Sequence, residues 1–418
     1  MLLGMRIAFA AALVGFVGIV VLKGWAVAGG SLGFLPYRIV AHYPMSVIPL
    51  FIVMGYFAYF AGLSRDLFET ARQWVGHLPG GLAIASIFGC AGFAACSGSS
   101  TAAAAVMGKV TIPEMRRYGY DPKLATGLVA ASGTLAALIP PSTIIVIYGI
   151  ITEQSIGTLL VAGFIPGIIS ALIYALMLYF RVRFSPRLAR ALPPASWKER
   201  FVSLRGTWGM LTLLGLVLGG LYIGVFTPTE AGGVGAFGAF LMALLLRRLN
   251  WSYLKESLLE TGKTTAMIFT ILVGVLIFLR LLALSGITKL FTVFMLSLPW
   301  PPLALLVGIL FVFLILGTFM SAIGMMMITL PLVLPVVISL GYDPIWFGII
   351  VVKMVEIAMI TPPVGINVYV TQSVAPDVPL QDVFKGILPF LVMDILTVAL
   401  LIAFPQIVLW LPSTRLTQ

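Results

Sequence analysis

The tetrapeptide Gly119-Tyr120-Asp121-Pro122 recurs as Gly341-Tyr342-Asp343-Pro344, an offset of 222 residues (341 − 119). Pro140-Pro141 recurs as Pro362-Pro363, and Pro113 as Pro335, at the same offset. Three anchors in one register mean that a single structural unit is used twice. Further on, Gly163-Phe164-Ile165-Pro166 matches Gly386-Ile387-Leu388-Pro389 at an offset of 223 (386 − 163), as one inserted residue would produce. The repeat therefore includes the segment that follows the paired prolines.

Composition decides the medium in which this unit folds. Of 418 residues, 61% are hydrophobic and 9% charged, whereas soluble domains carry about 25% charged residues. A water-soluble globular enzyme is excluded. Crossing a bilayer core of about 30 Å takes roughly 20 apolar residues per helix, so the chain reads as an all-α polytopic membrane protein. The net charge of +11 then reports orientation through the positive-inside rule, not nucleic-acid binding. Cys90 and Cys96 share one apolar run and have no metal or disulfide spacing.

Residues 1–30 read as a first membrane helix. Arg6, an apolar run and Ala26-Val27-Ala28 also fit a secretory signal, but the rest of the chain is equally hydrophobic and the helix is the simpler reading. Further spans are expected near residues 43–63, 124–150, 157–180, 207–226 and 231–246. Residues 64–77 interleave Arg65, Asp66, Glu69 and Arg72 with Leu67, Phe68 and Trp74, which predicts an amphipathic helix in the interface. Residues 79–115 are mostly apolar, and at 1.5 Å per residue their roughly 37 positions barely allow two passes. Their middle is polar, Cys96-Ser97-Gly98-Ser99-Ser100-Thr101, and basic residues flank both ends. A re-entrant hairpin entering from the cytoplasm, with the Ser/Gly cluster at its tip, satisfies length and charge together. The next span is interrupted at Ile139-Pro140-Pro141-Ser142, where neither proline donates a backbone hydrogen bond, so the helix breaks within the membrane. Residues 181–205 carry seven bases against one acid, Glu199, and mark a cytoplasmic loop. Arg247, Arg248, Lys255 and Lys263 predict a second interfacial segment on the same side.

Equivalent positions in the two copies are separated by an odd number of spans, about five, so the second copy should be inverted. Charge agrees: the first Gly-Tyr-Asp-Pro loop carries Arg116, Arg117 and Lys123, whereas residues 339–346 hold no base. The second hairpin is expected over residues 301–340, entering from outside, with its tip near Gly317-Thr318-Phe319-Met320-Ser321. Inverted repeats with discontinuous helices characterise secondary transporters, whose sites lie near the midplane between the repeats.

Tips and breaks expose backbone groups at membrane depth, where ions, water or protein must satisfy them. Carbonyls and hydroxyls suit a hard cation such as sodium, and helix N-termini suit anions. One sodium ion is expected between the tip residues Ser97, Ser99 and Ser100 and the break residues Gly133 and Thr134. A second is expected between Thr318 and Ser321 and the stretch containing Glu356 and Thr361. Substrate contacts are expected from Ser99, Thr101, Pro140, Pro141, Ser321, Pro362, Pro363 and Asn367. Lys353, Glu356 and Asp394 are ionisable residues in apolar runs, and Lys353 and Glu356, three apart on one helix, are expected to pair. Glu230, in Thr227-Pro228-Thr229-Glu230, is expected to cap the following helix. His42 and His77 lie near membrane ends and give a proton relay little support. Gly215, Gly219, Gly220 and Gly224 form small-xxx-small patterns, and residues 232–238 are also glycine-rich, so this scaffold packs on itself or on a partner.

Ser97-Gly98-Ser99-Ser100, Gly119-Tyr120-Asp121-Pro122, Gly133-Thr134-Leu135 with Ile139-Pro140-Pro141-Ser142, and Ala162-Gly163-Phe164-Ile165-Pro166-Gly167 together resemble the large permease subunit of TRAP transporters. Thr227-Pro228-Thr229-Glu230-Ala231 and Ile360-Thr361-Pro362-Pro363-Val364-Gly365 extend the resemblance over nearly the whole chain. Two departures are the start, a few residues short of the usual first helix, and Lys353, where a neutral polar residue is expected. The resemblance implies an inverted-repeat, elevator-type transporter with two re-entrant hairpins and two discontinuous helices in a bacterial inner membrane. It implies sodium-coupled import of a small organic acid, a small four-helix membrane subunit, and an extracytoplasmic solute-binding protein. On this reading residues 1–63 are scaffold helices and 64–78 an interfacial arm. Residues 79–156 form the first transport half, 157–284 further scaffold, 285–299 a second arm, 300–378 the second transport half and 379–418 a C-terminal helix.

A stand-alone sodium/dicarboxylate carrier is the alternative transporter reading, distinguished by transport without a binding protein. An intramembrane hydrolase using Ser99 lacks a base, because neither hairpin and neither broken helix contains histidine. Paired hairpins around an occluded site favour a carrier over a channel.

Overall fold

The computed structural model describes residue 5 and residues 7–414, and every regular element among the described residues is a helix. Arg6 lies outside the described residues. The expected first helix is two: α1 (Ile7–Lys23) and α2 (Trp25–Val40), parted at Gly24 with φ +85°, a backbone conformation that side chains disfavour. The next apolar helix is α3 (Val47–Phe60). The amphipathic helix α4 (Leu63–Val75) buries Leu63 and Phe68 and turns Asp66 to Arg248 at 2.6 Å.

The first hairpin is α5 (Gly81–Ser97) and α6 (Ser100–Arg117), joined by Gly98 and Ser99. The first discontinuous helix follows as α7 (Pro122–Gly133), α8 (Leu135–Leu138) and α9 (Thr143–Thr152), bent by 43° where the prolines remove donors. A long helix, α10 (Ile156–Phe184), leads through the basic loop to α11 (Trp197–Ile223), α12 (Pro228–Leu245) and α13 (Trp251–Ser285). Thr227 and Glu230 cap α12 reciprocally, as Ser196 and Glu199 cap α11. The interfacial segment expected near residues 247–263 is instead the start of α13, whose 35 residues span about 52 Å. Its apolar part crosses a core of about 30 Å, and the basic end overhangs it.

The second copy begins with α14 (Ile287–Ser297) and the hairpin α15 (Pro302–Phe319) and α16 (Ala322–Ser339). The second discontinuous helix is α17 (Pro344–Ile360) and α18 (Ile366–Val374), followed by α19 (Leu380–Ala403) and α20 (Gln406–Ser413). The repeat holds to the residue. Both ends of α6 and α16, the starts of α7 and α17, and the ends of α8 and α17 lie at the offset of 222. Both Pro-Pro bonds are cis.

Contacts between the copies show the inversion. At one end, Arg116 meets Asp377 at 2.7 Å and Lys123 meets Asp382 at 3.1 Å, so the start of α7 lies beside the end of α18. Asp121 N–H also donates to the Leu188 carbonyl at 2.9 Å, so the basic loop lies at this same end. Elsewhere the Tyr148 hydroxyl of α9 donates to the Pro344 carbonyl at the start of α17, at 2.7 Å. The discontinuous helices therefore run antiparallel. Among the described residues, eight helices are long and apolar enough to cross a membrane, or nine with the first broken helix. They include α15 and α16, but both hairpin tips reach one central cavity, so the hairpins turn back there.

Candidate substrate and ion site

A cavity of about 360 Å³ lies where the two tips meet α3 and α13. The first tip contributes residues 97–102 and the second Ser321, Ala322 and Ile323. Thr143 and Ile366 come from the far sides of the two breaks, and Tyr56, Tyr59, Thr264 and Met267 from the facing helices. No charged side chain or histidine lines it among the described residues.

Helix ends supply its electrostatics. The first residues of α6, α9, α16 and α18 all line the cavity, and each such end carries unpaired N–H groups and about half a positive charge. Serines cap three of them: Ser99 accepts from Ala102 N–H at 3.4 Å, Ser321 from Gly324 N–H at 3.4 Å and Ser142 from Ile145 N–H at 3.3 Å. Ser99 and Ser321 occupy the same repeat position. Four N-termini with no acid in the cavity lining suit an anion. Behind them, α5, α8, α15 and α17 end in carbonyl groups beside the tips and breaks, which suits a cation.

The first tip is built against the first break. Gly98 adopts φ +57°, a Cβ there would come within 2.8 Å of the Pro141 carbonyl oxygen, and its own carbonyl accepts from Thr143 Oγ1 at 2.8 Å. A Cβ on Gly133 would come within 2.9 Å of the Ser100 carbonyl oxygen. Of the expected first sodium site, Ser100 and Gly133 are therefore in contact, whereas the Thr134 hydroxyl donates to Ala131 O at 2.6 Å within its own helix.

The second half differs. Ser100 Oγ donates to Glu356 Oε1 at 3.1 Å, so the carboxylate expected at the second tip serves the first. Glu356 is fully buried, and its Oε2 has no hydrogen-bond partner among the described residues, an arrangement that fits a cation. The expected Lys353–Glu356 pair is replaced by Lys353–Asp394 at 2.6 Å, because α19 packs on α17 and brings its acid to the ammonium. Thr318 and Thr361 turn their hydroxyls to their own helices, to Ile315 O at 2.7 Å and Ile357 O at 2.6 Å. Gly317 lies against Ala358, so the second tip does reach α17.

Of the expected substrate residues, Ser99, Thr101 and Ser321 line the cavity. Pro140, Pro141, Pro362, Pro363 and Asn367 do not: the first two are buried at the break, the next two are exposed, and Asn367 is fully buried. Both amide atoms of Asn367 lack hydrogen-bond partners among the described residues. Sequence reasoning missed Tyr56 and Tyr59, which sit on a helix with no break or polar cluster to mark them, and Thr264, whose polar run at residues 260–265 read as part of an interfacial segment.

Residues 1–407 match the family described as the DctM component of the tripartite ATP-independent periplasmic transporter. The C4-dicarboxylate TRAP transporter large permease protein DctM of Pseudomonas aeruginosa is 37% identical over 387 residues, covering 92% of this chain and 89% of that protein. The sialic acid TRAP transporter large permease protein SiaM of Vibrio cholerae is 34% identical over 373 residues, covering 89% and 87%. The crystal structure of the Alcanivorax borkumensis YdaH transporter, described as having an unusual topology, shares the fold at a TM-score of 0.68 and 14% identity, covering 96% of this chain and 98% of that one. The chain is a multi-pass membrane protein, and it belongs to the DctM family of TRAP transporter large permease subunits.

Proposed function

We propose that this subunit imports a small organic acid across a bacterial inner membrane by sodium-coupled, elevator-type alternating access. The single observation that carries the reading is the cavity between the tips, on which four helix N-termini converge without a lining cation or acid. That field suits a carboxylate bound by backbone amides. Two of the similar permeases are named for carboxylic acids, a C4-dicarboxylate and sialic acid. Sodium ions would be held by tip carbonyls, Ser100 and the free oxygen of Glu356. The hairpins and broken helices would move against α3 and α11–α13, with α4 and α14 as arms. The family implies a small membrane subunit and an extracytoplasmic solute-binding protein that delivers the substrate.

The test is uptake by proteoliposomes containing the chain and its small subunit, with labelled C4-dicarboxylates and sialic acid as probes. Uptake should require both a binding protein and an inward sodium gradient. Uptake that proceeds without binding protein would favour the stand-alone carrier, and uptake indifferent to sodium would remove the coupling. Within that assay, Glu356→Gln keeps a hydrogen-bonding oxygen for Ser100 but removes the charge. It should raise the sodium concentration for half-maximal uptake about tenfold, equivalent to about 1.4 kcal/mol, with a smaller effect on substrate affinity.

A further inference from the structure

A charged cluster lies beside this site and outside the cavity. Lys353 on α17 is fully buried, and its ammonium stands 2.6 Å from Asp394 Oδ1 on α19. The same oxygen accepts a hydrogen bond from the Tyr174 hydroxyl of α10 at 2.6 Å, and the Tyr174 ring lies 5.6 Å from the ammonium. Asp394 Oδ2 has no hydrogen-bond partner among the described residues, and Asp394 is fully buried.

The pair is private to the second copy. The positions equivalent to Lys353 and Asp394 are Ala131 and Ala171, at offsets of 222 and 223, and both alanines are buried. The backbone of the repeat is kept while its charges are not. A buried carboxylate that stays ionised is stabilised by a cation beside it. Hard cations prefer oxygen ligands such as these, and here the cation is covalently attached.

We propose that Lys353 is a tethered cation, filling beside Asp394 and Tyr174 a position that a sodium ion would otherwise take. The protein then couples one fewer mobile ion than its buried carboxylates could hold. The consequence for transport rests on the sodium-coupled reading above; the position itself does not.

The test compares the full-length chain in detergent with Lys353→Ala and with the double variant Lys353→Met/Asp394→Asn, which removes both charges and keeps approximate volume. Thermal unfolding is followed as sodium chloride replaces choline chloride at constant ionic strength. Lys353→Ala should unfold earlier than wild type in choline and recover in sodium. Its midpoint should rise by several degrees more than that of wild type over a tenfold increase in sodium, as expected for a newly opened site. The double variant should respond to sodium as wild type does. The proposal is overturned if Lys353→Ala responds no more than wild type, or if it fails to fold in sodium while the double variant folds. In proteoliposomes the Hill coefficient for sodium should rise by about one in Lys353→Ala; an unchanged coefficient would also count against the tethered cation. If wild-type uptake shows no sodium dependence, the coupling reading fails, while the difference in sodium stabilisation between variants still decides whether Lys353 occupies a cation position.

Discussion

Ser100 and Glu356 are 256 positions apart in the chain and meet at 3.1 Å because the first hairpin tip is packed against both broken helices. Two glycines make that approach possible. A methyl group at Gly133 would press on the Ser100 carbonyl and the Ala104 side chain, and one at Gly98 would also require a strained backbone. Gly133→Ala should therefore destabilise the tip by about 1–3 kcal/mol, read as a lower thermal midpoint together with weaker sodium activation. An unchanged midpoint would show that the tip is not packed as described. At this scale the sequence reveals unusual residues more readily than their partners. The Ser/Gly cluster and the paired prolines stand out in an apolar background, so the first tip and its break were legible. Lys353 and Glu356 were legible as costly groups, but their partners are set by how α6 and α19 fold back. Spacing along a single helix suggested the wrong pair. Asn367 was visible as a polar residue after the second break, yet its depth behind the cavity depends on the packing of α18.

Among the elements, the capped helices were the most readable, since a cap is a local pattern. Glu230 accepts from the Thr227 N–H and hydroxyl at 2.8 and 2.9 Å and so closes the N-terminus of α12. Glu230→Ala, which removes both acceptor bonds, should lower the thermal midpoint. An unchanged midpoint would show that the cap does not hold the start of α12. Helix α13 was less readable. Its basic first turns look interfacial by composition, and only its continuity shows that they extend an apolar crossing. The two amphipathic helices also differ: α4 is tied to Arg248 and to the Ser203 carbonyl, whereas α14 has no buried residue and exposes Leu290, Val293 and Phe294. On the scaffold, Gly232 and Gly235 pack against α3, while Gly215 and Gly219 face open space, so only some of the small-residue pattern is used within the chain.

For the whole molecule, the repeat offset carried most of the fold. One number predicted the second hairpin and the second break, the odd span count predicted their inversion, and charge asymmetry agreed with it. Single cysteines at Pro122 and Pro344, with Cys90 and Cys96 replaced, should label with an impermeant reagent from opposite sides of the membrane. Labelling from one side would contradict the antiparallel contacts between α7–α9 and α17–α18. The repeat does not supply the chemistry, because equivalent positions hold different side chains: Thr134 and Glu356, Ser100 and Ala322, Ala131 and Lys353. The two halves provide matching helix ends and unequal charges, and under the proposed alternating access the cavity between their tips opens in turn to each side. A single cysteine at Ile323, which lines that cavity, tests this most directly. With sodium and substrate varied, an impermeant reagent applied from either side should reach it, with the two rates changing in opposite directions. Labelling from only one side under every condition would contradict alternating access.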